Sequence, residues 1–205
     1  MTRLAFLAAR LMRRESPLAA LSVDQPALLA DLAGCHVALI GNARALAQGD
    51  HGAAIDAADR VIRINRAPMP APRSHGRRTD WLALATRLPD ADRARLAPGR
   101  ILWMSPKRKR LDWTTARSPG FYLHPLDDIT ALRDRLGAPP TTGAMMIELC
   151  LRADLASLTL YGFDFFASLS LSGGRGAAQV PHDFAAEGDW VADLLRQDAR
   201  LRLIR

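Results

Sequence analysis

His182 and Glu187 are the residues best suited to chemistry in this chain, and three short stretches upstream carry the groups that would hold a substrate for them. A histidine titrates near neutral pH, so His182 can take a proton from a hydroxyl nucleophile. Glu187 falls on the apolar stripe of Phe184, Val191, Leu194 and Leu195, three residues after Phe184 and four before Val191. A carboxylate turned inward there requires a polar partner. The plain reading of the same residues is a surface histidine beside a helix-capping Asp183.

Thr141-Thr142-Gly143 follows Pro139-Pro140 and precedes an apolar run. The prolines prevent a helix from extending backwards, and Thr142 is the expected N-cap. The amides of Gly143 and its neighbours, with the helix dipole behind them, then make an anion site, to which a threonine hydroxyl adds a donor. Many ordinary helix starts have this form.

The third group is Gly41-Asn42, at the end of Val37-Ala38-Leu39-Ile40, together with Asn65-Arg66 at the end of Val61 to Ile64. Glycine permits a sharp turn and a close ligand approach, and each asparagine offers an amide that both donates and accepts. Two such amides could grip a pyrimidine edge or a ribose, or each could cap its own turn.

These groups must be positioned by a scaffold, and its elements are readable. Strands are expected at 37–40, 61–64, 81–84, 101–104, 120–123, 158–161 and 201–204, and helices around 43–48, 90–96, 127–136, 143–153 and 184–197. Continuous apolar strands alternating with helices predict an α/β fold built on a single doubly wound, mostly parallel sheet with helices on both faces. In such sheets ligands sit at the carboxyl ends of the strands, where both asparagines fall, and that is where chemistry is to be sought. Residues 1–34 read as a helical lead-in interrupted near Ser16-Pro17 and Gln25-Pro26, and residues 35–205 as one domain.

Composition narrows the class. The chain has 205 residues, 49% of them apolar and 24% charged, and a net charge of +7, as expected of one globular domain with an anionic partner. Two cysteines, Cys35 and Cys150, without CxxC spacing, argue against structural zinc and against a disulfide framework. No apolar stretch is long enough to span a membrane. Leu4, Leu7, Leu11 and Met12 fall near one face of an N-terminal helix and the arginines elsewhere, which suits either packing on the domain or lying on an anionic membrane surface. With no secretory pattern, the expected location is cytoplasmic, at most peripheral on the inner face of the membrane. Lys107-Arg108-Lys109-Arg110 reads as a solvated loop or a contact to an acidic acceptor; no nucleic-acid-binding module is recognised.

In order and spacing, Gly41-Asn42, Arg63-Ile64-Asn65-Arg66-Ala67-Pro68 and Gly76 to Asp80 resemble the long sialyl motif of the animal-type sialyltransferases, glycosyltransferase family 29. Thr141-Thr142-Gly143, the apolar helix and Tyr161-Gly162-Phe163 look like the family's short motif, with Thr141 where serine is usual. His182 and Glu187 are similar to the very short motif, whose histidine is the family's catalytic base.

The resemblance implies a Rossmann-like sheet of the variant GT-A type in a short, bacterial-type member. It implies inverting, metal-independent transfer of sialic acid from CMP-sialic acid to a glycan or lipopolysaccharide-type acceptor, with no cofactor. Gly41, Asn42, Asn65 and Arg66 would then contact the nucleotide, Thr141, Thr142 and Gly143 the phosphate, and His182 and Glu187 would serve catalysis. Alternatives are another CMP-activated acid of the Kdo or legionaminic type, or a non-catalytic relative that binds nucleotide or polyanion. The chain departs from the family at Ala45, where a second asparagine is common. Cys150 stands one helical turn before the family's disulfide position near Asp154. The family's third, histidine-containing motif is replaced by a Ser/Gly-rich stretch, 167–179, read as a lid in which Arg175 could meet the phosphate.

Overall fold

The computed structural model describes residues 1–164 and 181–204; the 167–179 stretch, with Arg175, lies outside them. Seven strands form one sheet: β1 (His36–Ile40), β2 (Arg60–Ile64), β3 (Trp81–Leu84), β4 (Arg100–Trp103), β5 (Tyr122–Leu123), β6 (Ser157–Tyr161) and β7 (Leu201–Ile204). Their spatial order is β5-β4-β3-β2-β1-β6-β7, and every neighbouring pair is parallel. From β1 the chain builds strand by strand to one edge, then returns past β1 to add β6 and β7 on its other side. The direction of winding therefore reverses between β1 and β6, the place where an open α/β sheet leaves a crevice at its carboxyl edge.

The helices are α1 (Arg3–Leu11), α2 (Glu15–Ala19), α3 (Gln25–Ala30), α4 (Gly52–Asp56), α5 (Pro72–His75), α6 (Asp90–Leu96), α7 (Trp113–Ala116), α8 (Leu126–Leu136), α9 (Thr142–Leu151) and α10 (Phe184–Gln197). Strand alternation assigns them to two layers. Val37, Leu39, Ile62, Trp81, Ala83, Leu102, Leu158 and Leu160 face a core shared with α3, α8, α9 and α10. Their neighbours Leu82, Leu84, Ile101 and Trp103 face the other way, onto α1, α2 and α6, while Ala38, Ile40 and Val61 meet Ile55 of α4.

The lead-in is built differently from the sequence expectation. Pro17 and Pro26 do not interrupt helices; they sit within the first turns of α2 and α3, where a missing N–H costs no intrahelical bond. Phe6, Leu18, Leu28 and Leu32 from this lead-in are fully buried among the sheet's side chains. Cys35 and Cys150 are both free thiols, and burial pushes the Cys150 thiol up to about 12. Among the described residues, no helix is long and apolar enough to cross a membrane.

Candidate active site

Where the winding reverses, the ends of β1 and β6 are joined at two glycines. Gly41 N–H donates to Tyr161 O at 2.7 Å, and Ala43 N–H to Gly162 O at 3.1 Å. A Cβ on Gly41 would stand 2.2 Å from Gly162 O, so only glycine lets the two strand ends meet. Gly162 itself has φ 68°, a conformation open to glycine. It turns the chain so that Phe163 lies against the start of α9, where a Cβ on Gly143 would come within 2.7 Å of its ring. Sequence reasoning quoted Tyr161-Gly162-Phe163 without assigning it a place in the site; the signal was a glycine directly after a buried strand.

The start of α9 differs from expectation by one residue. Thr141, not Thr142, is the N-cap: its hydroxyl oxygen accepts from Ala144 N–H at 3.1 Å, and its backbone is extended. Thr142 is the first helical residue and is buried. Thr141 N–H and hydroxyl both donate to the Glu187 carboxylate, at 2.6 and 2.8 Å. The expectation that Thr141 gives its donors to a phosphate is therefore corrected: Glu187 already takes them. Thr142 N–H and Gly143 N–H, the two remaining donors of the first turn, have no partner among the described residues, and they point along the helix dipole as an anion site requires.

Glu187 is the inward carboxylate of the sequence analysis, 4% exposed on the first turn of α10. Burial raises its pKa from the ordinary value, opposed by the two hydrogen bonds from Thr141 and by the nearby His182. Asp183 caps α10 by accepting from Ala186 N–H at 3.0 Å. His182, one residue earlier, holds its Nδ1 2.7 Å from Pro139 O. A carbonyl can only accept, so Nδ1 carries the hydrogen and Nε2 carries the lone pair. The start of α10 is thus tied twice to the start of α9, through His182–Pro139 and Glu187–Thr141.

The asparagines flank this group at neighbouring strand ends. The Asn42 amide nitrogen donates to Ile64 O at 3.3 Å, joining the ends of β1 and β2. Asn65 has φ 54°; its N–H donates to Ala83 O, and its Oδ1 accepts from Ala85 N–H at 3.0 Å. Asn65 therefore caps the end of β3, leaving Nδ2 as what it can offer a nucleotide. Arg66 is turned toward α6, where it pairs with Asp92 at 3.1 Å on the surface.

The rest of the long-motif resemblance is scaffold. Arg63, 1% exposed, donates to His75 O, Arg78 O and Thr79 Oγ1, and burial lowers its pKa to about 10. The Asp56 carboxylate accepts from the N–H groups of Arg77 and Arg78. Asp80 accepts from Val61 N–H and pairs with Arg78. These polar groups spend themselves on each other, holding the return from α5 into β3.

Residues 15–87 match the model of glycosyltransferase family 29 (sialyltransferase). A mammalian sialyltransferase structure superposes with a TM-score of 0.60 at 18% identity, over 88% of this chain and 78% of that one. A mammalian sialyltransferase in complex with Gal-beta-1-3GalNAc-ortho-nitrophenol gives 0.59 at 16% identity, over 98% and 85%. The sialyltransferase CstII from Campylobacter jejuni, in complex with the substrate analogue CMP-3FNeuAc, gives 0.50 at 14%, over 82% and 78%. No curated protein sequence matches the chain. A segment running from α2 through β3 thus matches the family 29 model, and the chain has the sialyltransferase fold over nearly its whole length.

Proposed function

We propose that this chain transfers sialic acid from CMP-sialic acid to a hydroxyl of a glycan acceptor, with inversion at the anomeric carbon and without a metal ion. The observation that carries this reading is the pair of ties between α10 and α9, which puts an imidazole with a lone pair on Nε2 beside an anion-binding helix start. Nε2 of His182 takes the acceptor hydroxyl's proton as that oxygen forms its bond to the anomeric carbon. The bond from that carbon to the phosphate oxygen breaks on the opposite face, and CMP leaves with the bonding pair. Thr142 and Gly143 N–H groups receive its phosphate, which with a single phosphate to neutralise requires no cation. Asn42 and Nδ2 of Asn65 hold the nucleotide over the crevice, and Glu187 acts by holding Thr141, and with it the helix start, in place.

Isothermal titration with CMP, UMP, AMP and GMP tests the donor site. Selective CMP binding that EDTA does not change is expected. Equal binding of all four, or none, would overturn the reading. Transfer assays with CMP-sialic acid and CMP-Kdo then decide the sugar.

A further inference from the structure

The helix α1 is apolar on two opposite sides. Phe6 and Ala9 face inward and are buried. At 100° per residue, Leu4, Leu7 and Leu11 gather on the opposite side, and Leu4 and Leu11 are 79% and 72% exposed. Met12, 58% exposed, and Met1 lie at the ends of the same helix. Among the described residues, Leu126 is the one other exposed large hydrophobic, so exposed apolar bulk is concentrated on this helix rather than scattered.

Cations surround the stripe. Arg3, Arg13 and Arg14 are exposed on α1 and the turn after it. The short 3-10 turn Arg108–Arg110, which packs against α1, presents Lys107, Lys109 and Arg110. None of these six has an acidic partner among the described residues. The acids nearby are occupied: Glu15 holds the buried Arg108, and Asp112 caps α7.

We infer that α1 and the 105–110 turn form a docking surface for an anionic phospholipid membrane, with the leucines entering the lipid and the six cations meeting its headgroups. A second copy of the chain fits less well, because a symmetric contact across the leucines would bring arginines against arginines. The basic turn follows the carboxyl end of β4, on the edge of the sheet where Gly41 and Asn42 lie. If the proposed transfer holds, docking here presents the crevice to an acceptor glycan carried on a lipid.

The test is co-sedimentation of the full chain with vesicles of phosphatidylcholine alone or mixed with phosphatidylglycerol, at low and high salt and without nucleotide. Binding is expected to the mixed vesicles only and to weaken with salt. Leu4→Ser with Leu11→Ser should abolish it. Arg13→Ala, Arg14→Ala and Lys109→Ala together should weaken it about a hundredfold, from roughly fivefold per cation. All these side chains are exposed, so thermal midpoints should not move. Absence of vesicle binding, binding indifferent to phosphatidylglycerol, or binding that survives the leucine changes would overturn the inference. So would a dimer that those changes dissociate in the absence of vesicle binding. CMP titration in solution, scored separately, distinguishes failure here from failure of the proposed reaction.

Discussion

Glu187 closes on Thr141 with both carboxylate oxygens, one taking the backbone N–H at 2.6 Å and the other the hydroxyl at 2.8 Å. This contact joins the starts of α9 and α10, and it sets where the Thr142 and Gly143 amides stand relative to His182. Burial raises the Glu187 pKa, so the ionised form carries a desolvation cost that a neutral isostere avoids. Glu187→Gln is therefore expected to change stability by less than about 1 kcal/mol, the relieved burial offsetting one weakened bond. Glu187→Ala strands both Thr141 donors and should cost about 2–4 kcal/mol in urea unfolding. Equal losses in the two variants would refute this account.

His182→Asn keeps a side-chain N–H for Pro139 O and removes the second ring nitrogen. Transfer should fall about 10²- to 10⁴-fold, with CMP affinity and thermal midpoint preserved. Parallel loss of CMP binding would instead make His182 a structural residue.

Gly41→Ala and Gly143→Ala separate backbone from side-chain obstruction. At Gly41 the added carbon meets Gly162 O, which cannot retreat without parting β1 from β6, so the variant should fold poorly or not at all. At Gly143 the obstacle is the Phe163 ring, which can move. That variant should fold, with CMP binding about tenfold weaker in titration, because the displaced ring no longer seats the helix start.

Asn65 combines a left-handed backbone with the cap on Ala85. Asn65→Ala should lose about 1–2 kcal/mol from strain and the missing acceptor together. Asn65→Gly removes the strain, so its residual effect on CMP binding, read by titration, isolates the side chain's contact with nucleotide.

His75 and His124 are buried as neutral imidazoles, each with its pKa lowered to about 4, chiefly by desolvation. Unfolded, both titrate near 6.5. Between those values the unfolded chain binds the extra protons, so stability is full above about pH 6.5 and falls as pH drops toward 4. The loss should approach roughly 3 kcal/mol per histidine, and His124→Gln should flatten its share of the curve in pH-dependent unfolding.

Much of the scaffold was written in local pattern. Trp81–Leu84 matches its expected bounds because an unbroken apolar run between polar turns has no other economical place than a buried parallel strand; Leu201–Ile204 matches too, as an edge strand with Leu201 buried and Arg202 exposed. Asp90–Leu96 and Phe184–Gln197 match as well, the first marked by its acidic first turn and the second by Glu187 in its first turn and a periodic apolar stripe. The short helices α4, α5 and α7 were not read, since four or five residues are too few to carry a period.

At the site, the sequence alone marked His182, Glu187, Gly41, Asn42 and the Thr141–Gly143 turn, through residue type and through resemblance. It could say that Glu187 needed a partner but not that Thr141 was that partner, because the two are distant in the chain and meet only when α10 docks on α9. For the same reason it could not tell Arg63, spent on residues 75–79, from a ligand contact. Nor could it see that one side of α1 is buried and the opposite side bare. Local order follows from each residue's neighbours in the chain; which polar groups satisfy each other and which remain for a substrate was decided by the reversal of winding between β1 and β6, where distant segments are brought into one desolvated place and each buried donor must find its acceptor.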